Sequence, residues 1–219
     1  MSIQNANTIA PPPASASQAI SDKGLLRGAI GLAAISLVGF GLLYSLAGVG
    51  LGQALFPSKA NGSLIERDGK VVGSSLVAQP FADARYFQPR PSAAGHDPMA
   101  VAGSNQARTN PDLRKRIDEA LMGAAQRNGV DPSAIAGDLV TQSGGGIDPH
   151  ISPQAAAMQA DRVARARGLG RAGVEALIAR HTQNKQLGLL GQPRVNVLEL
   201  NLALDALASP ASGAPAAKP

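Results

Sequence analysis

Residues 143–152 combine the side chains of this sequence that could carry out catalysis. They read Ser-Gly-Gly-Gly-Ile-Asp-Pro-His-Ile-Ser, so Asp148, His150 and Ser152 offer the carboxylate, imidazole and hydroxyl of a hydrolase triad. Three groups this close along the chain need an unusual turn to converge. A structural interpretation accounts for the same residues, with Asp148 in a turn, Ser152 as a helix cap and His150 as a hydrogen-bonding loop residue. We favour the structural interpretation.

The same segment contains three consecutive glycines, Gly144, Gly145 and Gly146. A glycine-rich backbone can turn several N–H groups towards an anion. However, the lysine and the glycine spacing of a P-loop are both missing. The glycines are therefore a weak indication of a phosphate site.

The composition argues against several other kinds of chemistry. The chain has no cysteine, which removes disulfides, thiolate catalysis, cysteine-based zinc sites and iron–sulfur clusters. Its histidines, His96, His150 and His181, are far apart in the sequence, so no metal site is predicted. Two tyrosines, four phenylalanines and no tryptophan offer no stacking platform for bases, and residues 57–207 hold 17 basic against 14 acidic side chains. We therefore expect no nucleic-acid binding.

The elements that position these residues follow a long uncharged stretch. Residues 28–58 contain no charged side chain over 31 positions. Two dozen apolar residues in a helix that rises ~1.5 Å per residue reach roughly 36 Å, enough to cross a hydrocarbon core of about 30 Å. The alternative is a cleaved signal peptide, whose apolar region runs only about 7 to 15 residues and ends at a small-residue cleavage site. We predict a retained transmembrane helix over residues 25–52.

Small residues of this helix recur at a spacing that places them on one stripe at about 100° per residue. We call this stripe the partner face; it consists of Ala34, Gly41, Ser45, Gly48 and Gly52. Small side chains let a second helix approach closely in lipid, so we predict that the partner face contacts another membrane protein. The alternative is compositional, because glycine and alanine are common in transmembrane helices and a second set lies on the opposite side.

The rest of the chain divides into two tails and one domain. Residues 1–24, rich in proline, alanine, serine and asparagine, are predicted to be a disordered tail, and residues 208–219 a flexible one. Residues 57–207 are long enough to form a single domain with its own core. The predicted fold class is α+β, with one N-terminal transmembrane helix followed by a mixed domain of a small β-sheet or hairpin and several helices.

Local patterns predict the elements at the start of the domain. Two short apolar runs on either side of Asp68-Gly69 indicate a β-hairpin in which Gly69 supplies the positive φ. Thr109 is predicted to cap a helix that begins near Pro111 and ends at Asn128-Gly129.

Further helices are predicted towards the C-terminus. Ser152 caps one over residues 153–167, where Arg162, Arg165 and Arg167 suit the negative end of the helix dipole. A second covers residues 171–181. Residues 197–207 are ambiguous, because alternating leucines indicate a strand whereas the strong helix formers leucine, alanine and glutamate favour a helix. We lean towards the helix.

A series of motifs, in order along the chain, resembles the KdpC family, the C subunits of the Kdp potassium-transporting P-type ATPase. The matching stretches cover nearly everything between residues 25 and 207. They are the apolar helix, Phe56-Pro57, residues 60–65, Tyr86-Phe87, residues 90–93, 103–105, 109–111 and 138–153, Gln159, and residues 162–168 and 193–205.

The resemblance implies an accessory, non-catalytic subunit of a high-affinity, ATP-driven potassium uptake system. In this family's complex, a channel-like subunit selects potassium, and a P-type ATPase subunit hydrolyses ATP with magnesium. The C subunit links these two partners through one membrane helix and acts as a catalytic chaperone that raises the ATP affinity of the ATPase subunit. The resemblance implies neither catalytic nor metal-binding residues here, and no firmly bound cofactor.

The resemblance also implies where the chain acts. It indicates a single-pass protein of the cell inner (plasma) membrane, with a cytoplasmic N-terminus and an extracytoplasmic domain. The family's proposed nucleotide contact corresponds to a candidate nucleotide or regulatory loop consisting of Ser143, Gly144, Gly145, Gly146, Asp148 and His150, together with Gln159. Because ATP is scarce outside the cytoplasm, we favour an allosteric contribution over direct contact with ATP.

One alternative function stays open, that of a membrane-anchored extracytoplasmic hydrolase using His150 and Ser152. It predicts a hydrolytic activity that is lost when both residues are replaced by alanine. The subunit function predicts instead that two larger multispanning proteins co-purify with this chain from native membranes.

Overall fold

A computed structural model describes residues 24–208 of the chain. The chain divides into two units, Met1–Leu55 and Phe56–Pro219. The two predicted tails, residues 1–24 and 208–219, lie almost wholly outside the described residues.

The first unit contains one long apolar helix, α1, over Leu25–Leu55. Its most apolar stretch of 18 residues contains no buried residue. Its backbone is α-helical over Leu25–Ser36, π-helical over Leu37–Tyr44 and α-helical again over Ser45–Leu55. Its length and composition are those of a helix that can cross a membrane.

The second unit begins with a short helix, α2 (Pro57–Ala60), and the predicted hairpin. Strands β1 (Leu64–Arg67) and β2 (Lys70–Ser74) pair antiparallel. Asp68 and Gly69 both adopt positive φ, 52° and 72°, as a type I′ turn requires at its two central positions. The hairpin prediction is confirmed.

A long stretch without helix or strand separates the hairpin from helix α3 (Pro111–Asn128). The predicted cap Thr109 is wrong by one residue, because the Asn110 side chain accepts the hydrogen bond from the Asp112 N–H at 2.8 Å. Asn110 as cap puts Pro111 at the first helical position, where its missing N–H costs nothing. The helix ends as predicted at Gly129, whose φ is 66°.

The remaining elements form a small sheet with helices around it. Two 3₁₀ turns, Pro132–Ala134 and Gly137–Leu139, lead to the 143–152 segment. The helices are α4 (Pro153–Arg167), α5 (Arg171–Arg180) and α6 (Val197–Ala208), and the strands are β3 (His150–Ile151), β4 (Thr182–Gln183) and β5 (Arg194–Asn196). The three strands are antiparallel in the order β3-β5-β4. The ambiguous C-terminal stretch is a helix, and the α+β class is confirmed.

The core lies between α4, α5, α6 and the sheet. Three of the fully buried residues of α4 are alanines, Ala155, Ala156 and Ala160 at 0% exposure, so α4 can pack closely against its neighbours there. Val174, Leu177 and Ile178 fill the core from α5, as predicted. Phe87 enters from the long irregular stretch and is also completely buried.

Candidate functional site

The hydroxyl of Ser152 makes two hydrogen bonds within the domain, one as acceptor and one as donor. Its Oγ accepts the N–H of Ala155 at 3.0 Å and so caps α4, as predicted. The same oxygen lies 3.2 Å from Asp138 Oδ1, to which it donates its proton, while the Ser152 N–H donates to Asp138 Oδ2 at 2.6 Å. Both the proton and a lone pair of the hydroxyl are therefore engaged within the domain.

Asp148 and His150 form a second cluster with Arg90. Asp148 Oδ1 accepts the N–H of His150 at 3.0 Å and lies 3.3 Å from its Nδ1, and Asp148 Oδ2 lies 3.2 Å from Arg90 Nη1. Burial by itself raises the pKa of Asp148. The hydrogen bonds and electrostatic interaction with His150, together with the hydrogen bond from Arg90, outweigh burial and leave the pKa of Asp148 below its usual value. The carboxylate is thus held in its charged form.

These contacts do not assemble the triad. His150 touches Asp148, as the orienting pair of a triad would, but the Ser152 hydroxyl is bonded to Asp138 and to the backbone of α4. All four side chains line one cleft of about 500 Å³. A nucleophile must be hydrogen-bonded to its base, and the described residues of this cleft show no bond between Ser152 and His150. The hydrolase alternative therefore lacks its first geometric requirement.

The glycines allow two loops to pack closely. Gly146 has a φ of 76°, and a Cβ added there would lie 2.9 Å from the Ala102 carbonyl oxygen. Ser143 is buried, and its N–H donates to the Pro91 carbonyl oxygen at 3.2 Å. Only Gly144 and Gly145 are exposed. The candidate loop therefore presents two accessible backbone positions rather than four.

Gln159 is buried at 1% exposure and holds a neighbouring segment in place. Its Oε1 accepts the Gln88 N–H at 2.8 Å, and its Nε2 donates to the Gln88 carbonyl at 3.1 Å. Arg162 also donates to Oε1 at 2.7 Å. Contact of Gln159 with nucleotide stays a prediction, but its amide already has partners for both its oxygen and its nitrogen.

Asn201 holds the adjacent residue in the same way and was not identified from the sequence. Its Oδ1 accepts the Phe87 N–H at 2.8 Å, and its Nδ2 donates to the Phe87 carbonyl at 2.9 Å. We call Gln159 and Asn201 the amide clamp. They satisfy backbone groups that a neighbouring strand would otherwise pair with. The partners lie 71 and 114 positions apart in the chain, so no local pattern signals them.

Two of the three arginines assigned to the dipole of α4 point into the domain. Arg162 is 8% exposed and donates to the carbonyls of Ala84 and Tyr86 and to the side chain of Asn128. Burial, together with the nearby charge of Arg127, lowers the pKa of Arg162. Arg167 donates to the Arg85 carbonyl. The dipole interpretation is wrong for Arg162, which lies outside the last turn and donates to the carbonyls of Ala84 and Tyr86, whereas Arg165 and Arg167 lie in the last turn of α4 as predicted.

The partner face is interrupted by the π-helical part of α1. A π-helix bonds i to i+5 and so places one more residue in each hydrogen-bonded loop than an α-helix. Positions after it are therefore rotated by roughly one residue, or about 100°, from a uniform α-helix. Ser45, Gly48 and Gly52 share one α-helical segment, whereas Ala34 precedes the π-helical part and Gly41 lies within it. Contact with a partner stays a prediction, now centred on the last three residues.

Replacing Ser152 by alanine will lower the free energy of unfolding by about 1 kcal/mol, the usual value of a helix cap. The loss follows because the Ala155 N–H and the Asp138 carboxylate both lose a partner. Urea denaturation of the full chain in detergent measures it. Ser152→Thr keeps the hydroxyl and is the matched control; if it unfolds at the same urea concentration as Ser152→Ala, the cap does not stabilise α4.

Residues 24–208 contain one apolar helix long enough to cross a membrane, followed directly in the sequence by a small α+β domain, which is the architecture of a membrane-anchored protein. Among residues 24–208, no three His, Cys, Asp or Glu side chains group as metal ligands would. The family model described as KdpC, K⁺-transporting ATPase, c chain, matches residues 26–206. The chain therefore belongs to the KdpC family, the C subunits of the K⁺-transporting ATPase.

Individual relatives agree with the family match. A protein from Xanthomonas campestris pv. campestris, named Potassium-transporting ATPase KdpC subunit, is 58% identical over 191 residues, which cover 87% of this chain and 91% of the relative. A protein of the same name from Xanthomonas oryzae pv. oryzae is 56% identical over 199 residues, 91% of this chain and 95% of the relative. One from Methylococcus capsulatus is 53% identical over 170 residues, 76% and 90% of the two chains.

Proposed function

We propose that this chain is the non-catalytic subunit that links the potassium-selective subunit of a K⁺-transporting ATPase to its ATP-hydrolysing subunit. The observation that carries the proposal is that α1 is 31 residues long and that its most apolar stretch is nowhere buried within the protein. Such a helix is suited to lipid, where its small residues allow a partner helix to approach closely. In this proposal the chain crosses the inner membrane once, with the N-terminus in the cytoplasm and the domain outside.

The second part of the proposal concerns ATP. The chain raises the ATP affinity of the ATPase subunit through assembly of the complex, without touching the nucleotide. Two side chains of the candidate nucleotide site already have partners within the domain, which supports this. The amide of Gln159 is hydrogen-bonded to Gln88, and the carboxylate of Asp148 is bonded to Arg90 and His150. An effect between distant sites of this kind is a coupling free energy, and it acts equally in both directions.

Leaving this chain out of the purified complex will raise the KM for ATP by roughly 5- to 150-fold, the range of typical allosteric coupling. Steady-state ATPase assays with and without added chain measure it. Gly144→Glu and Gly144→Gln form a matched pair of variants, because a side chain at this exposed position meets nothing within 4 Å. Equal KM values for the pair are expected; a higher KM with glutamate alone means that the loop contacts the phosphates.

A cysteine introduced at Gly144 will react with a membrane-impermeant maleimide in intact spheroplasts. The wild-type chain has no cysteine, so the introduced thiol reports its own position alone. Ser2→Cys, in the N-terminal tail, is the control and will react only after the membrane is permeabilised. The opposite pattern of labelling contradicts the extracytoplasmic placement of the domain.

A further inference from the structure

The loop between β4 and β5 exposes three large apolar side chains at its tip. Gln186 and Leu190 close it, with the Gln186 N–H donating to the Leu190 carbonyl at 2.8 Å and the Leu190 N–H returning a bond of 2.9 Å. Leu187, Leu189 and Leu190 are 91%, 83% and 61% exposed. We call these three residues the leucine tip. Adjoining exposed leucines, unlike single ones, indicate a contact surface.

The base of the leucine tip lies beside residues that follow α1 directly in the sequence. Gln186, at the base of the tip, lines one cleft of about 440 Å³ together with Lys59. Lys59 is only four residues beyond the end of α1 at Leu55. Residues that directly follow a transmembrane helix must lie near the membrane surface, so a membrane-spanning α1 keeps Lys59, and with it the base of the tip, close to the bilayer.

Hydrogen bonds join the end of strand β5 to the start of the domain. The Ser75 N–H donates to the Ser63 carbonyl at 3.0 Å, three residues beyond α2. Asn196, the last residue of β5, donates from Nδ2 to the Ser75 carbonyl at 2.8 Å. Strand β5 leads back to the tip, so the leucines are carried on a framework that begins next to the membrane helix.

The charges around the tip are mostly positive. Lys185 immediately precedes the tip-closing residue Gln186, and Lys59 and Arg194 line the cleft beside it, with Glu199 as the acidic lining residue. Aliphatic side chains flanked by lysine and arginine are typical of protein segments that enter the boundary between lipid headgroups and acyl chains. The three exposed side chains of the tip are all leucines, which suits lipid better than a partner protein surface with polar groups to satisfy.

We propose that, with the domain outside the cytoplasm as in the proposed function, the leucine tip inserts into the outer boundary of the bilayer. It is a second, interfacial contact with lipid, separate from the transmembrane helix, and it fixes how the domain is oriented above the membrane. Anionic headgroups bind the flanking cations, and the acyl chains receive the leucines.

The test uses the full chain with Leu189→Cys, labelled with a polarity-sensitive fluorophore and reconstituted into phosphatidylethanolamine–phosphatidylglycerol vesicles. Met99→Cys is the matched control, because Met99 is an apolar loop residue with 92% exposure. The label at position 189 will emit at a shorter wavelength than the label at position 99. Nitroxide-labelled lipids will quench its fluorescence at least about twofold more strongly, as expected for interfacial insertion. Equal quenching at both positions overturns the proposal.

Two further measurements exclude the alternatives. Adding Leu187→Ser and Leu190→Ser to the Leu189→Cys chain removes most of the insertion, so the quenching by lipid must fall while the circular dichroism stays unchanged; unchanged quenching overturns the proposal. In the complete complex, photo-crosslinking from position 189 must give lipid adducts. Crosslinks to another subunit in place of lipid identify a protein docking surface and also overturn the proposal.

Discussion

Replacing Asn201 by leucine will lower the free energy of unfolding by about 2–6 kcal/mol, because two buried backbone groups each lose a partner worth roughly 1–3 kcal/mol. The groups are the N–H and the carbonyl of Phe87, which Asn201 holds at 2.8 and 2.9 Å. Phe87 is fully buried, so water does not replace the lost hydrogen bonds. Leucine matches asparagine in size, which separates the lost hydrogen bonds from the cost of a cavity.

Urea denaturation of the full chain in detergent measures this loss. Asn184→Leu is the control, since Asn184 is exposed and such surface changes usually stay within about 0.5 kcal/mol. If Asn201→Leu unfolds at the same urea concentration as the wild-type chain, Asn201 of the amide clamp does not stabilise the domain.

The amide clamp also shows why Gln159 is hard to interpret from sequence. A glutamine that contacts a ligand and one that holds buried backbone have the same side chain and can occupy the same motif. The two are distinguished by what surrounds the amide, and here that is the backbone of Gln88, 71 positions away. The same holds for Arg162, whose place near the end of α4 indicates a dipole contact until its partners at Ala84 and Tyr86 are seen.

Features determined by neighbouring residues were predicted well. Ser152 caps α4, Gly129 ends α3, and Asp68-Gly69 forms the turn of the hairpin, because each depends on side chains or φ values within a few positions. Where two neighbours could both serve, the choice failed: Asn110 caps α3 in place of Thr109.

Features determined by distant residues, or by backbone alone, were missed. The strands of the β3-β5-β4 sheet are two or three residues long, too short for an alternating pattern to indicate them. The π-helical part of α1 consists of the same apolar residue types as the α-helical parts on either side, so composition does not signal the change in hydrogen bonding. It matters for function because it decides which small residues of α1 share a face.

If the proposed function holds, replacing Gly48 by leucine will reduce the amount of the two proposed partner subunits that co-purifies with this chain from native membranes by about tenfold, equivalent to ~1.4 kcal/mol. Gly48 lies with Ser45 and Gly52 in the last α-helical segment of α1. Close helix packing in lipid depends on small residues at the contact, and a leucine there holds the two backbones apart. Potassium uptake at low external potassium should fall in parallel.

Gly50→Leu is the matched control, because Gly50 lies two positions further along the same segment and therefore on roughly the opposite side of the helix, about 200° away. A Cβ at either glycine meets nothing within 4 Å, and both changes make α1 equally more apolar and more helix-favouring. Only the face differs between the two variants. Equal losses of co-purification would show that α1 has no preferred face, whereas a loss confined to Gly50→Leu would place the contact on the opposite side.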